Sequence, residues 1–266
     1  MNSLRSYLAV LRGSFMVGLV YRFSFIFTIL SNFIYMGVAY FLWHSIYAGA
    51  DTLRGLTFNE TFLYVALGSA FFILLKTYAD WQISYEIREG IIATYLIKPV
   101  DFQLYALTMS VGAGLLTLAI ITLPTVIMLT LVFRVPILAG PGLAFFPLSL
   151  ALAFLISFNF DFLVGVFGFY SESVWGTSIT KEIIITVCSG ALIPLQFFPD
   201  AIRKVLLALP FPAMYYSPLM MITRPNQGWE AYLPVLGMQL FWAVVTFILS
   251  RLFYNQAVKV LRVAGG

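Results

Sequence analysis

Long apolar runs separated by short polar segments dominate this chain. Each run is long enough, or nearly long enough, to cross about 30 Å of hydrocarbon as a helix. The runs are residues 23–50, 61–75, 102–133, 143–170, 183–198 and 231–250. Pro124 predicts a tilt or kink in the third run. The pattern therefore predicts six transmembrane helices.

Charged residues mark the connections between these runs. Lys76 extends the short second run, because its aliphatic stem can snorkel to the membrane surface. Glu172, Lys181 and Glu182 predict a polar loop before the fifth run. Asp161 is the exception, because it interrupts the fourth run.

Residues 80–101 form the longest polar interruption. Apolar side chains recur there at every fourth position: Ile83, Ile87, Ile91 and Tyr95. Charged side chains lie between them: Glu86, Arg88 and Glu89. This spacing predicts an amphipathic surface helix, which Gly90 bends or breaks and Pro99 ends. Such a helix either rests on lipid headgroups or docks into a cleft on a soluble partner.

Two further segments are amphipathic. Residues 1–22 carry apolar residues on one face and predict an interfacial helix that leads into the first span. Residues 194–221 contain five prolines and a short amphipathic helix between Pro199 and Pro210. We expect this second segment to be a re-entrant element on the outer side, because irregular backbone at membrane depth must be covered by protein.

The composition places the chain among integral membrane proteins. Hydrophobic residues make up 61% of its 266 residues and charged residues 10%, against about 25% charged in soluble domains. The mean hydropathy is +0.95. The fold class predicted is therefore an all-α integral membrane protein with a single domain over residues 1–266.

The residues do not support nucleic-acid binding, a disulfide, a metal site or a phosphate-binding loop. The net charge of +4 is scattered among apolar runs, so it does not indicate nucleic-acid binding. Cys188 is the only cysteine and His44 the only histidine, which excludes an internal disulfide and argues against a metal site. The chain has no phosphate-binding loop of the form G-x-x-x-x-G-K-[ST]. We expect it to bind no cofactor and to catalyse no reaction by itself.

Lysine and arginine counts predict the orientation. Ten basic residues fall on one side if both termini are cytoplasmic: Arg5, Arg12, Arg22, Lys76, Arg88, Lys98, Lys181, Arg251, Lys259 and Arg262. Five fall on the other: Arg54, Arg134, Arg203, Lys204 and Arg224. This excess predicts cytoplasmic termini and a cytoplasmic position for residues 80–101.

Polar residues inside the predicted spans have two interpretations. Asp161 is costly at membrane depth, so it either has a function or is held by hydrogen bonds between helices. Asn32 and Tyr35 belong to a polar stripe on the first span, which lines a translocation path or holds helices together. Four glycines allow close helix contacts: Gly112, Gly114, Gly165 and Gly168.

Two sequence blocks, in this order and topology, resemble a known family. The first runs from Glu86-Ile-Arg-Glu-Gly90 to Leu96-Ile-Lys-Pro99. The second runs from Ser189-Gly-Ala-Leu-Ile-Pro194 through Phe198-Pro199 and Leu209-Pro210-Phe211 to Tyr216-Ser-Pro218. Together they resemble the permease subunits of ATP-binding-cassette transporters of the type-2 exporter class.

The resemblance implies a function and partners. The first block would be the coupling helix that docks on a cytoplasmic ATPase, through Glu86, Ile87, Arg88, Glu89, Gly90, Ile91 and Leu96. ATP and Mg would be bound by separate ATPase subunits, and a second permease, identical or similar, would complete the path in the cell (inner) membrane, among its lipids. Lipid-like molecules, drugs, peptides and polysaccharides all stay open as substrates.

Two alternatives to this reading remain at this point. A stand-alone channel or secondary transporter predicts an intramembrane charge network or inverted repeats. An integral membrane enzyme that modifies lipids predicts clustered His, Asp or Glu at a membrane face.

Overall fold

The computed structural model describes residues 2–20 and 22–260. Arg262, expected on the cytoplasmic side, lies outside these residues, and so does the side chain of Arg22. The described part is helical apart from one small hairpin. Its helices are α1 (Asn2–Val20), α2 (Arg22–Ile46), α3 (Phe58–Leu75), α4 (Ala79–Arg88), α5 (Ile92–Leu96), α6 (Phe102–Thr117), α7 (Leu123–Leu131), α8 (Pro141–Val166), α9 (Trp175–Cys188), α10 (Asp200–Leu207), α11 (Tyr216–Thr223) and α12 (Trp229–Ala257).

Short irregular elements complete the chain. Strands β1 (Thr52–Leu53) and β2 (Leu56–Thr57) pair antiparallel, with Thr52 opposite Thr57. A π-helical turn, Leu118–Thr122, joins α6 to α7 directly before Pro124. Because proline lacks the N–H that would continue the helical ladder, the irregular turn falls where the sequence predicted an interruption. Single 3₁₀ turns occur at Phe167–Phe169, Leu195–Phe197 and Val258–Val260.

Five stretches of the described chain are long and apolar enough to cross a membrane. They are Phe23–Ile46, Phe58–Arg88, Phe102–Leu131, Pro141–Phe169 and Trp229–Val260. They coincide with the first, second, third, fourth and sixth predicted spans. The prediction of an all-α membrane protein is confirmed at this level.

The predicted fifth span has the wrong bounds. In place of a helix over 183–198, the structure has α9, whose 14 residues reach only about 21 Å. The helix ends because Gly190 adopts a left-handed φ of +78°, and its carbonyl accepts a 2.7 Å hydrogen bond from the Tyr64 hydroxyl. A Cβ atom at Gly190 would lie only 3.0 Å from that hydroxyl, so a side chain would not fit there without a shift.

Helix α3 is the centre of the bundle. Twelve of its residues are buried, and it has no polar face, as expected for a helix surrounded by others. Thr57 and Glu60 form a capping box at its first turn, which satisfies backbone N–H groups at that end. Around it, α2, α7, α8 and α11 contribute to the largest core cluster.

The bundle has two ends, which we call the near end and the far end and define by the residues they carry. The near end carries residues 76–101, together with the 3₁₀ turn after α8 and the last turns of α12. The far end carries the hairpin Thr52–Thr57, the connection between α7 and α8, and residues 224–228. Ion pairs join basic residues of each predicted set to acids at the same end, as in Arg251–Asp101 at the near end and Arg224–Glu60 at the far end.

Helix α1 packs lengthwise against α6. The Tyr7 hydroxyl accepts from the Asp101 amide at 3.1 Å, and the Ser14 hydroxyl donates to the Met109 carbonyl at 2.7 Å. Gly112 permits this approach, because a Cβ there would lie 2.5 Å from the Leu11 carbonyl oxygen. Residues 2–20 are therefore helical as predicted, and α6 fixes their direction; an interfacial location stays a prediction.

Residues 194–221 form one segment that leads into the bundle and a second segment that leads back out of it. Helix α10 covers two turns where three were expected between Pro199 and Pro210. The chain then reaches the bundle interior, where the Ala213 carbonyl accepts a 2.8 Å hydrogen bond from Gln239 of α12. Helix α11 leads back to the far end at Arg224. A re-entrant position of residues 194–221 in the membrane stays a prediction.

Candidate functional site

Residues 79–97 form a broken amphipathic arm at the near end. Helix α4 is interrupted at Gly90, which has a φ of +69°, and the short helix α5 follows. The predicted break at Gly90 is confirmed, because this left-handed conformation is accessible to glycine without the cost of a Cβ clash. Helix α5 ends at Leu96, before Pro99.

One face of this arm is buried against the chain's own helices. Ile83 is 2% exposed, and Ile87 and Glu86 are each 8% exposed. Gly165 and Gly168 of the α8 region allow this packing, since a Cβ at Gly165 would lie 2.9 Å from that of Ile83. The predicted close contact at these two glycines is confirmed.

Glu86 and Ile87, two of the predicted docking residues, are buried within the chain, and a direct contact of either with a partner stays a prediction. Glu86 accepts a 3.1 Å hydrogen bond from Gln82 one turn earlier. Ile87 belongs to a core cluster that includes Phe162 of α8, and Glu86 lines a small cavity beside Tyr105 of α6, so neither side chain is exposed to a partner in this arrangement. Of the other predicted docking residues, Ile91 is half-buried.

The opposite face is exposed and mixed in character. It presents Arg88, Glu89, Gly90 and Leu96. Ile97, which the sequence analysis did not select, is 85% exposed and is the most exposed large apolar side chain of the described chain. Arg88 also donates a 3.3 Å hydrogen bond to the Glu172 carbonyl, which ties the arm to the connection between α8 and α9.

Asp101 fixes the end of the arm to α6 and α12. It caps α6 by accepting a 3.0 Å hydrogen bond from the Leu104 amide, and it pairs with Arg251 at 2.5 Å. Burial by itself would raise the pKa of Asp101, but the hydrogen bonds from Arg251 and Leu104 outweigh it and lower the pKa.

The chain breaks sharply between α3 and α4. Lys76 is extended, and Tyr78 has a left-handed φ of +54°. A left-handed tyrosine costs of order 1 kcal/mol or more, so it persists only where the surroundings fix it. The Lys76 ammonium lies 5.0 Å from the Tyr78 ring and forms a 2.6 Å ion pair with Glu182 of α9.

Beside this break lies a buried ion triad, which we define as Asp80, Asp161 and Lys181. The Lys181 ammonium contacts Asp80 at 2.7 Å and Asp161 even more closely. The Thr77 hydroxyl donates to the second oxygen of Asp161 at 2.5 Å. The side chains of Asp80, Asp161 and Lys181 are 3%, 8% and 13% exposed. The triad therefore joins α4, α8 and α9.

The triad corrects the predicted polar loop. Lys181 and Glu182 lie in the middle of α9, and of the predicted loop residues only Glu172 lies between helices. Clustered charge suggested a loop, but these charges are paired to neighbouring helices. The signal that could have found the pair was Asp161 itself, because a carboxylate in an apolar span needs a cationic or hydrogen-bonding partner.

Asn32 and Tyr35 lie in different environments. Asn32 is buried, donates to Thr125 of α7 at 2.8 Å and accepts from Ser69 of α3 at 2.7 Å. These bonds match the interpretation in which polar residues hold helices together. Tyr35 is 40% exposed on the outside of the bundle, so the structure does not bring it together with Asn32 or Asp161.

At the near end, a mixed exposed surface is linked through α4 and the ion triad to two further helices, α8 and α9. Within the described residues, no group of three or more His, Cys, Asp or Glu side chains could hold a metal ion.

The architecture defines a class of protein, and the comparison defines its family. Five apolar helices of spanning length make the chain a multi-pass membrane protein. A family model described as ABC-2 family transporter protein matches residues 33–265. The chain therefore belongs to this family and is a membrane permease of an ABC transporter, a type that associates with ATP-binding subunits. Nothing matches the chain among curated proteins.

Proposed function

We propose that this chain is the membrane-spanning subunit of an ATP-driven exporter, moved by separate ATPase subunits that dock on its near end. The observation that carries the proposal is the exposed face of residues 88–97, which is joined to the spans by buried contacts. In this arrangement both termini lie in the cytoplasm and the protein resides in the cell (inner) membrane.

Docking would use the exposed side chains only. Leu96 and Ile97 offer an apolar contact that a cleft could enclose, and Arg88 and Glu89 flank it with opposite charges. Apolar anchors ringed by polar groups are the usual source of affinity at protein interfaces. Glu86 and Ile87 would act differently, because Ile87 packs α4 against α8 and Glu86 lies beside α6, so both would transmit the motion of the arm.

The chemistry of ATP would belong to the partner. ATP and Mg would be bound by the ATPase subunits, and the permease contributes no catalytic group. Closure of two ATPase subunits would displace the arm of each permease. The ion triad would pass this displacement to α8 and α9, because its three charged groups cannot separate cheaply in a buried site.

A second permease, identical or similar, would complete the translocation path. The spans of the two subunits would then rearrange about their common interface, with lipids around them. Tyr35, which lies on the outside of a single bundle, is the predicted path residue that such an interface could cover.

The stand-alone alternative predicted an intramembrane charge network, and the ion triad is one. Its position favours a different use, however, since Asp80 belongs to the arm itself. Transport that continues without any ATPase subunit would support the stand-alone mechanism.

Co-purification with the ATPase subunit and ATP turnover test the docking surface. Ile97→Asp and Arg88→Glu should each weaken assembly, Ile97→Asp by about 2 kcal/mol, or about 30-fold, if it is an anchor. The matched controls are Leu138→Asp and Lys204→Glu, at exposed residues of the far end. Unchanged assembly and turnover in Ile97→Asp and Arg88→Glu would refute the proposed docking surface.

A further inference from the structure

A polar cavity lies at the far end, away from the proposed docking surface. Its volume is about 300 Å³, and it lies between the hairpin, α10, α11 and the start of α12. Three arginines line it: Arg54, Arg203 and Arg224. They come from three separate parts of the sequence, so only the folded chain brings them together.

The cavity carries an excess of positive charge. Arg224 is paired with Glu60 at 3.2 Å and also donates to the Gly55 carbonyl. No carboxylate of the described chain forms an ion pair with Arg54 or Arg203. Two guanidinium groups are therefore left without a counter-charge beside one cavity, and such groups attract an anion.

Hydrogen-bonding atoms around the same cavity are also incomplete. The Arg203 Nε and the Gln196 Oε1 are buried and have no partner among the described residues. Gln196 is held in place through its other amide atom, which donates to the Tyr216 hydroxyl at 2.9 Å. Buried polar atoms are normally satisfied, so the unpaired Arg203 N–H is available to donate to an anion, whereas the Gln196 oxygen, an acceptor, would be satisfied by a water or by a protonated oxygen of the ligand.

Part of the cavity lining is apolar. Met220, Met221 and Val235 line the cavity together with the arginines. Guanidinium groups bind the oxygens of phosphate and carboxylate in a forked geometry. A cavity lined by arginines together with thioether and aliphatic side chains fits an anionic headgroup with a short apolar portion attached.

We propose that this cavity binds an oxyanion, with a phosphate group as the chemistry that fits best, through Arg203 and Arg54. The phosphate belongs either to a membrane lipid headgroup or to a small soluble molecule. Arg224 has a different part, because its contacts with Glu60 and Gly55 hold the hairpin against α11. The site is independent of the proposed ATPase docking surface.

Calorimetric titration of the purified full-length chain in a neutral detergent tests the site. The probes are inorganic phosphate and dihexanoyl phosphatidylglycerol below its micelle concentration, against chloride at equal ionic strength. Arg203→Gln and Arg54→Gln should each weaken binding about tenfold or more, as expected for loss of a charge-assisted hydrogen bond. Lys204→Gln is the matched control, because Lys204 is exposed on the same helix and does not line the cavity.

The outcomes separate the sources of the anion. Binding of both probes identifies a site for free phosphate groups, and binding of the lipid alone identifies a headgroup site that needs the apolar wall. The proposal is overturned if neither probe binds above chloride. It is equally overturned if Lys204→Gln weakens binding as much as Arg203→Gln does, since a diffuse surface field would then account for it.

Discussion

Replacing Lys181 with methionine tests how strongly the ion triad holds α4, α8 and α9 together. Methionine keeps the length and apolar character of the stem but removes the ammonium. Asp80 and Asp161 would then face each other without a counter-charge, at side-chain exposures of 3% and 8%. Breaking a buried ion pair from one side costs about 3–5 kcal/mol, and we expect a loss of this order.

Lys76→Met is the matched control. Its ion pair with Glu182 is similarly short, at 2.6 Å, but the two side chains are 28% and 31% exposed. Pairs that reach solvent contribute up to about 1 kcal/mol. The two variants remove the same group, so the predictions differ through burial and through the number of carboxylates left unpaired, two for Lys181 and one for Lys76.

Unfolding in mixed micelles, followed by circular dichroism as sodium dodecyl sulfate is added, measures the free energy of unfolding. Lys181→Met should lose at least about 2 kcal/mol more than Lys76→Met, by the difference between those two ranges. Adding Asp161→Asn to Lys181→Met should recover about 1 kcal/mol, because one of the two unpaired charges is removed. Equal losses in Lys181→Met and Lys76→Met, with no recovery in the double variant, would refute the reasoning.

Three further predictions concern other contacts. The pKa of Asp101 is lower in the folded chain than its ordinary value of 3.8. The pairing of Asp101 with Arg251 therefore stabilises the protein fully when the pH is above 3.8, and this stabilisation is lost as the pH falls through the lower pKa of the folded state. Melting temperatures of wild type and Asp101→Asn should therefore converge in acid. Gly112→Val should push α1 away from α6 at a cost of about 1–3 kcal/mol, and trypsin should then cleave α1 faster. Asn32→Ala should lower the free energy of unfolding by about 1–3 kcal/mol, because the buried Thr125 hydroxyl and the half-buried Ser69 hydroxyl lose a partner.

Each of these three predictions has its own control. Melting temperatures that differ equally at neutral and acid pH would contradict the role of Asp101. Gly237→Val tests the general cost of valine, since a Cβ at Gly237 would meet nothing within 4 Å, and equal cleavage in both variants would contradict the α1 contact. Thr28→Ala removes an exposed hydroxyl on the same helix as Asn32, and a loss as large as that in Asn32→Ala would contradict the helix-bridging role.

The sequence predicted those features that depend on local chemistry. Apolar runs predicted helices of spanning length, because a backbone in hydrocarbon must satisfy its own hydrogen bonds. Gly90 predicted a break, and Gly165 a close approach, because both follow from the absence of a Cβ atom. Two ordered sequence blocks also pointed to the ABC transporter permeases before any contact was known.

Tertiary structure alone decided which groups meet. Periodicity shows that α4 has two faces, but the packing of α6 and α8 decides that Glu86 and Ile87 are buried while Arg88 is exposed. The clustered charges of Lys181 and Glu182 predicted a loop from the sequence. The structure places both residues in a helix, because partners in other helices offset the cost of their charges there. The physical reason is that propensity and hydropathy are properties of neighbours in sequence, whereas desolvation and ion pairing depend on neighbours in space.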